Sequence, residues 1–293
     1  MNISEELKRI RPSLSAGSLK TYTSLLNSVH KNVFKNKEIS KTDFDDCEKI
    51  LNYLKELKPN QRKTILSGLV VISDKPKYRS AMLEDIKSYS AEAKKMEKTP
   101  SQEANWVEQN ELDSVLNNAK NTATALYKKQ KLTMSDLQDI QNYIILCLMS
   151  GIYIPPRRSL DWTEFKIKNI DRAEDNYLDK NEFVFNKYKT SKFYNEQRVN
   201  CPKELLSILK KWVKTSNNDY LLFDSNFEKL TSVKLNQRLE KIFGKKCSVN
   251  ILRHVYLTSK FGDEIERSKK MNDVAEDMGT SSAQVIGTYI KKE

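Results

Sequence analysis

The stretch Ser248-Val-Asn-Ile-Leu-Arg-His-Val-Tyr256 opens a helix that the spacing of apolar residues predicts over 248–261. It places Arg253 directly before His254, and the chain has only one other histidine, His30. Two histidines exclude most histidine-based zinc sites and the metalloproteases that depend on them. A guanidinium stays protonated at any relevant pH, and its planar fork matches two phosphate oxygens.

Three other segments carry chemically useful side chains at predicted turns or helix starts. Arg157-Arg158-Ser-Leu-Asp161 follows Pro155-Pro156, and Met278-Gly-Thr leads through predicted helical residues to Tyr289. Lys189-Thr190 lies in a region rich in aromatic and β-branched residues, 182–201, which predicts an antiparallel hairpin of two or three strands. The second half of the chain shows no glycine-rich phosphate loop, serine elbow or paired carboxylates.

Composition places the chain among basic globular proteins. It has 293 residues, a formal charge of +12 and 38% hydrophobic residues, enough to bury cores in two domains. The excess charge is +7 over the first hundred residues and +5 over the rest, so a polyanionic partner is indicated. Four well-separated cysteines suggest reduced thiols in an intracellular protein. No stretch reads as a signal peptide or membrane span.

Periodicity and breakers divide the chain into two predicted domains. Residues 1–95 form a domain of roughly four helices, 96–106 a charged, proline-containing linker, and 107–293 a helical domain with one small sheet. In the first domain Ser15 or Ser18 and Asp43 are predicted helix N-caps, and His30 is predicted to be structural. In the second, helices are expected at 203–214, 231–243, 248–261 and 271–279, with a last short one carrying Tyr289. The cysteines are expected in the cores.

In this order, the four segments resemble the tyrosine recombinase (phage integrase) family. Ser248–Tyr256 resembles its His-x-x-Arg-His box, and Met278–Tyr289 its Gly-His-Ser…Tyr ending. Arg158-Ser-Leu-Asp161 resembles the first-arginine box, with Asp161 in the acidic position, and Lys189-Thr190 resembles the β-hairpin lysine. The resemblance covers about residue 105 to the end. It implies a mainly α fold: a helical core-binding domain plus a helical catalytic domain with a small antiparallel β-sheet.

The resemblance implies a role for each matching residue. Tyr289 would attack the scissile phosphate, Arg158 and Arg253 would hold its non-bridging oxygens, and Lys189 would protonate the leaving 5′-hydroxyl. The supporting positions are Asn250, His254 and Thr280. Two of them depart from the family: Asn250 replaces the first histidine, and Thr280 replaces the later histidine or tryptophan.

Several assignments stay open at this point. Spacing alone does not separate Arg158 from Arg157; the acidic residue three places later favours Arg158, which leaves Arg157 as a surface or DNA-backbone contact. Lys187 and Lys192 compete with Lys189. Residues of the first domain that could touch DNA phosphates are Lys20, Arg62 and Lys63.

The implied activity is site-specific recombination, in which DNA strands are cut and rejoined through a 3′-phosphotyrosine. The family needs no metal and no cofactor, and works on double-stranded DNA as a homo-tetramer on synapsed sites. The expected setting is integration or excision of a mobile or viral element. We expect it inside the cell, on DNA of the host cytoplasm or nucleus and away from membranes. The alternatives are DNA relaxation like that of a type IB topoisomerase, or a DNA-binding protein that has lost catalysis.

Overall fold

The computed structural model describes residues 1–35 and 38–290. The chain folds into two compact units, Met1–Lys98 and Thr99 onward. The division falls inside the predicted 96–106 linker, but the second half of that segment is structured. Residues Pro100–Ala104 form a short helix, the Lys246 amide donates to the Asn105 side chain at 2.9 Å, and the Lys245 ammonium donates to the Trp106 carbonyl at 2.6 Å.

The first unit is helical, as predicted, with one more helix than expected. Its helices are α1 (Ile3–Ile10), α2 (Ala16–Phe34), α3 (Cys47–Leu54), α4 (Pro59–Ser73) and α5 (Pro76–Lys94), with a 3₁₀ turn at Lys41–Asp45. Helix α1 buries only Ile3 and Leu7. Its apolar residues Ile3, Leu7 and Ile10 follow the spacing of a helix face, but the helix has only eight residues. Its Asn2 side chain caps it by accepting from the Ser4 amide.

Of the predicted N-caps in this unit, Ser15 is confirmed and Asp43 is wrong. The Ser15 side chain accepts from the Ser18 amide at the start of α2. Asp46 caps α3, whereas Asp43 lies in the 3₁₀ turn. Its carboxylate is 3.0 Å from Nε2 of the buried His30. His30 is therefore structural, as expected, and its ring also stacks on Phe34.

The second unit is also mainly helical. Its helices are α6 (Pro100–Ala104), α7 (Gln109–Leu126), α8 (Met134–Met149), α9 (Ser159–Thr163), α10 (Ser191–Tyr194), α11 (Lys203–Thr215), α12 (Ser232–Phe243), α13 (Val249–Asp277) and α14 (Ser282–Gln284), followed by a π-helical turn at Val285–Tyr289. The core forms around α8, which is buried nearly all round. The predicted class, mainly α with one small antiparallel sheet, is confirmed.

The sheet has three antiparallel strands in the order β1 (Tyr177–Asp179), β2 (Glu182–Phe185) and β3 (Gln197–Asn200). Phe183 lies opposite Leu178 on one side and Val199 on the other. The strands are shorter than the sequence suggests, because residues 186–196 leave the sheet and include α10. Trp162 of α9 packs edge-on against the rings of Phe183 and Phe185, which fixes α9 against the sheet.

The C-terminal helices differ most from prediction. Separate helices at 248–261 and 271–279 are wrong, since α13 runs unbroken from Val249 to Asp277. The stretch between them lacks an apolar period, but it contains good helix formers such as Glu264, Glu266 and Lys270 and no proline. In the fully described stretch 257–274 no residue is buried, so most of α13 is surrounded by solvent.

All four cysteines are buried and unpaired, as expected of core thiols. Among residues 1–35 and 38–290, no helix has both the length and the apolar character that crossing a bilayer requires.

Candidate active site

Arg253 and the segment before α9 meet through a backbone contact. Arg253, in the second turn of α13, is partly buried, and its Nε donates to the Pro156 carbonyl at 3.2 Å. Nearby, Gly151 has φ +84°, and a Cβ there would lie 2.3 Å from Cδ2 of Tyr256 in α13. The α8–α9 connection therefore packs closely on the first turns of α13. This packing brings Arg253 beside Arg157 and Arg158, which are far from it in sequence.

Arg157 and Arg158 have different surroundings. The Arg157 guanidinium donates to Asp161 Oδ2 at 2.7 Å and to Gln197 Oε1 at 3.0 Å, and it lies 3.9 Å from the Phe185 ring centroid. Arg158 is exposed at the N-terminus of α9, and its guanidinium contacts no partner among the described residues. Arg158 is thus free to bind an anion, whereas Arg157 joins α9 to the sheet instead of facing outward as a DNA-backbone contact.

Asp161 lies among positive charges. Burial raises the pKa of its carboxyl, and the charges of Arg157, Arg158 and Arg253 oppose that rise. Burial, reinforced by the charge of Arg158, lowers the pKa of Arg253. The hydrogen bond from Arg253 to the Pro156 carbonyl, two residues before Arg158, places Arg253 next to this segment. One buried carboxylate among three guanidiniums leaves an excess of positive charge suited to a phosphodiester.

Asn176 is a positioning residue that sequence reasoning missed. Its fully buried amide nitrogen donates to the carbonyls of Asp161 at 2.9 Å and Lys187 at 2.7 Å. Its oxygen accepts from the amides of Asn186 at 2.8 Å and Lys187 at 2.7 Å. One side chain thereby joins α9 to the start of the β2–β3 connection. No local pattern identifies it, because an asparagine before a strand most often marks a turn.

Lys189 lies exposed in the β2–β3 connection, two residues after the Asn176 contacts. Of its two competitors, Lys187 is ion-paired with Asp175 at 3.1 Å. Lys192 is exposed on α10, and neither Lys189 nor Lys192 has an ion-pair partner among the described residues. Lys187 is therefore not a free cation. Of the other two lysines, Lys189 is nearer in sequence to the residues that Asn176 contacts.

The supporting residues divide between the two ends of α13. Asn250 and His254 are exposed on its first turns, next to Arg253. Thr280 lies beyond its other end, where the hydroxyl donates to Gln284 Oε1 at 3.0 Å and the amide to the Ala275 carbonyl at 2.8 Å. Thr280 therefore does not lie beside the arginines.

Tyr289 also belongs to the far end of α13. At 1.5 Å per residue the helix extends about 36 Å from Arg253 to Asp277. Gly279, at φ +65°, then turns the chain, and α14 packs back on the end of α13. Tyr289 is 59% exposed at the end of the π-helical turn. Among the described residues it contacts neither arginine nor Lys189.

The chain is similar to lambda integrase in several solved structures. It matches a lambda integrase dimer bound to a COC′ core site at 14% identity and TM-score 0.49, over 90% of this chain and 71% of the other. It matches lambda integrase (75–356), as a dimer on the same core site, at 14% identity and TM-score 0.48, over 90% and 93%. A third match is lambda integrase (residues 75–356) bound to DNA, at 13% identity and TM-score 0.47, over 90% and 89%. No family model and no curated protein matches the sequence.

The basic residues of the first unit that are predicted to contact DNA differ in whether their side chains have partners within the protein. Lys20 is exposed and unpartnered among the described residues. Arg62 forms a two-pronged ion pair with the buried Asp85, joining α4 to α5. The Lys63 ammonium lies 3.3 Å from the Tyr89 ring centroid. Lys20 remains the candidate phosphate contact, and Arg62 stabilises the helix pair.

The described residues contain no group of three or more histidine, cysteine, aspartate or glutamate side chains arranged to hold a metal ion.

Proposed function

We propose that the protein cuts and rejoins DNA strands as a site-specific tyrosine recombinase, with Tyr289 forming a 3′-phosphotyrosine. The observation that carries this proposal is the hydrogen bond from Arg253 to the Pro156 carbonyl, two residues before Arg158, whose guanidinium has no partner among the described residues. Two guanidiniums can bind both non-bridging oxygens of one phosphodiester. They stabilise the charge that these oxygens carry in the transition state.

The step is a transesterification. The Tyr289 Oη–P bond forms as the P–O5′ bond breaks. The phenol proton passes to solvent water, and the departing 5′-oxygen takes a proton from the Lys189 ammonium. The phosphodiester energy is retained in the phosphotyrosine, so religation by a 5′-hydroxyl reverses the same path. In this proposal His254 and Asn250, which are exposed near Arg253 on α13, donate hydrogen bonds to the same phosphate.

The tyrosine that reaches the arginines of one chain must come from a different position, because Tyr289 of that chain lies at the far end of α13. Two features support delivery to a second copy. The solvent-surrounded α13 carries exposed Leu257, Phe261 and Ile265 at four-residue intervals, and the tail exposes Ile286 and Ile290 around the tyrosine. Such apolar surface is suited to burial against protein. We therefore include in this proposal an assembly of copies on DNA, a homo-tetramer in the complete reaction.

The test is capture of the covalent intermediate. The protein is incubated with a pool of nicked duplex oligonucleotides of randomised sequence, in which cleavage releases a short fragment that diffuses away. We expect a protein–DNA adduct that survives denaturation and is absent from Tyr289→Phe. An adduct that persists in Tyr289→Phe would show another nucleophile. Duplex binding with no adduct would show a protein without the chemistry, and relaxation of plasmids lacking the captured sequence would show a topoisomerase.

The role of Lys189 is tested with a substrate whose bridging 5′-oxygen is sulfur, which leaves without protonation. Lys189→Ala should slow adduct formation on the oxygen substrate by about a hundredfold and match wild type on the sulfur substrate. Lys192→Ala is the matched control and should cleave both substrates as wild type does. If Lys192→Ala shows the rescue instead, Lys192 is the acid.

The setting we propose is integration or excision of a mobile or viral DNA element, inside the cell. The DNA sequences captured in the adduct would identify that element.

A further inference from the structure

The β2–β3 connection, residues 186–196, exposes two adjacent aromatic side chains at its tip. Phe193 is 82% exposed and Tyr194 is 67% exposed, the two highest values among the large hydrophobic residues that the structure describes as exposed. Both belong to α10 and follow Lys192 directly. Keeping such rings in water is unfavourable, so a pair held there indicates a surface that is covered by a ligand.

The tip is held in place from below. Tyr188 is buried, and its hydroxyl donates to the Asn195 carbonyl at 2.7 Å, which closes the connection across its neck. Asn195 has φ +55° and ψ −152°, and it turns the chain back toward β3. Within the tip, the amides of Phe193 and Tyr194 both donate to the Thr190 carbonyl. The rings are therefore presented on a closed loop rather than on a free strand end.

The neck is joined to the start of α9 and to Arg157 by one contact before the tip and one after it. Before the tip, Asn176 joins Lys187 to the carbonyl of Asp161 in α9. After the tip, Gln197 accepts from Arg157, whose guanidinium also lies 5.7 Å from the Tyr188 ring centroid. A ligand bound by Arg158 is thus close to the base of this loop.

The charges of the tip favour an anionic ligand. Residues 189–194 contain Lys189 and Lys192 and no acidic side chain, so an anionic partner is favoured. Apolar rings next to cations suit DNA, where phosphates meet the lysines and an inserted ring separates two stacked base pairs.

We infer that Phe193, supported by Tyr194, inserts into the duplex beside the scissile phosphate and unstacks a base step there. The inference rests on the proposed function for the position of the DNA. It goes further in assigning an aromatic wedge to the loop that carries Lys189. Unstacking would make the backbone at the cleavage point easier to distort toward in-line attack.

The experiment measures base unstacking without cleavage. A duplex is selected from a randomised pool by its binding to Tyr289→Phe, and 2-aminopurine, which brightens when unstacked, is substituted at each position in turn. We expect one step to brighten on binding of Tyr289→Phe. Adding Phe193→Ala should abolish that signal and weaken binding about tenfold, whereas adding Phe193→Leu should retain most of the signal, because leucine also serves as a wedge.

Phe227→Ala, also added to Tyr289→Phe, is the matched control: it removes a half-exposed phenylalanine from another loop and should change neither quantity. Equal brightening and binding with Phe193→Ala would overturn the inference. The inference would also be overturned if Phe193→Ala bound DNA normally but lost binding to anionic phospholipid vesicles or lost self-association. If wild type forms no adduct but the Phe193-dependent brightening is seen, the recombinase proposal fails and the wedge stands. If the adduct forms and the brightening does not depend on Phe193, the recombinase proposal stands and the wedge is wrong.

Discussion

Arg157 and Arg158 are neighbours in the chain, but the structure gives them separate tasks. Arg157 neutralises the buried Asp161 and packs on Phe185, whereas the Arg158 side chain extends into solvent with no partner among the described residues. Substituting them should therefore separate stability from chemistry.

We expect Arg158→Ala to slow adduct formation at least a hundredfold, because a charge-stabilising donor is lost, and to leave the free energy of unfolding within about 0.5 kcal/mol of wild type. Arg157→Ala should destabilise the protein by about 3 kcal/mol, since it leaves a buried carboxylate unpaired. Adduct formation and urea unfolding, measured on both variants, check this. Equal stability losses would contradict the assignment.

At the scale of elements, the start of α8 is held by a reciprocal cap. Thr133 accepts from the Asp136 amide, while the Asp136 carboxylate accepts from the Thr133 amide at 2.9 Å and pairs with Lys129 at 2.8 Å. The hydrogen bond from Lys129, followed by those from Thr133, lowers the pKa of Asp136 to about 2.

The sign of this shift gives a pH prediction. A carboxyl with a lowered pKa stabilises the fold above its unfolded pKa of about 4, and that contribution is lost as the pH falls toward 2. Asp136→Asn should therefore unfold more easily than wild type at pH 7, and the difference should vanish near pH 2. Denaturant unfolding across this range measures it. Asp263→Asn changes an exposed position on α13 that has no partner among the described residues, and it should show no such trend. A trend in that variant would show that net charge, and not the cap, causes the pH dependence.

The contact between Gly151 and Tyr256 predicts a second effect at this scale. Gly151→Ala adds a Cβ against the Tyr256 ring at a positive φ. It should cost about 1–3 kcal/mol and slow adduct formation, because it shifts the segment that aligns Arg253 with Arg158. The matched control is Gly262→Ala, where a Cβ meets open space inside α13. That change should stabilise the helix by about 0.5–1 kcal/mol, and thermal unfolding of both variants distinguishes them.

For the whole molecule, the sequence predicts what periodicity and residue chemistry encode. The helical class and the small sheet follow from the spacing and type of the residues. The unbroken α13 could not be predicted, because a solvent-surrounded helix needs no apolar stripe. Asn176 and Gln197 were missed since their roles depend on contacts between distant segments. The separation of Tyr289 from Arg253 follows from that unbroken helix and was therefore equally hidden.

Delivery of Tyr289 between copies predicts complementation. Tyr289→Phe alone lacks the nucleophile, and Arg158→Ala alone lacks a phosphate-binding group. Mixed on DNA, one copy can supply the intact arginine site and the other the tyrosine, so we expect adduct formation to return, with the DNA attached to the Arg158→Ala chain. Variants of different mass make the labelled chain identifiable on a denaturing gel. Failure of the mixture, with both variants binding DNA, would show that each chain uses its own tyrosine.

The length of α13 also has a mechanical consequence. A rod that is anchored at Arg253 and about 36 Å long works as a lever, so tilting it by about 10° at its base moves its tip by about 6 Å. In the proposed reaction, a small change in orientation at the arginine end of α13 would therefore move Tyr289, at the opposite end, by several ångströms.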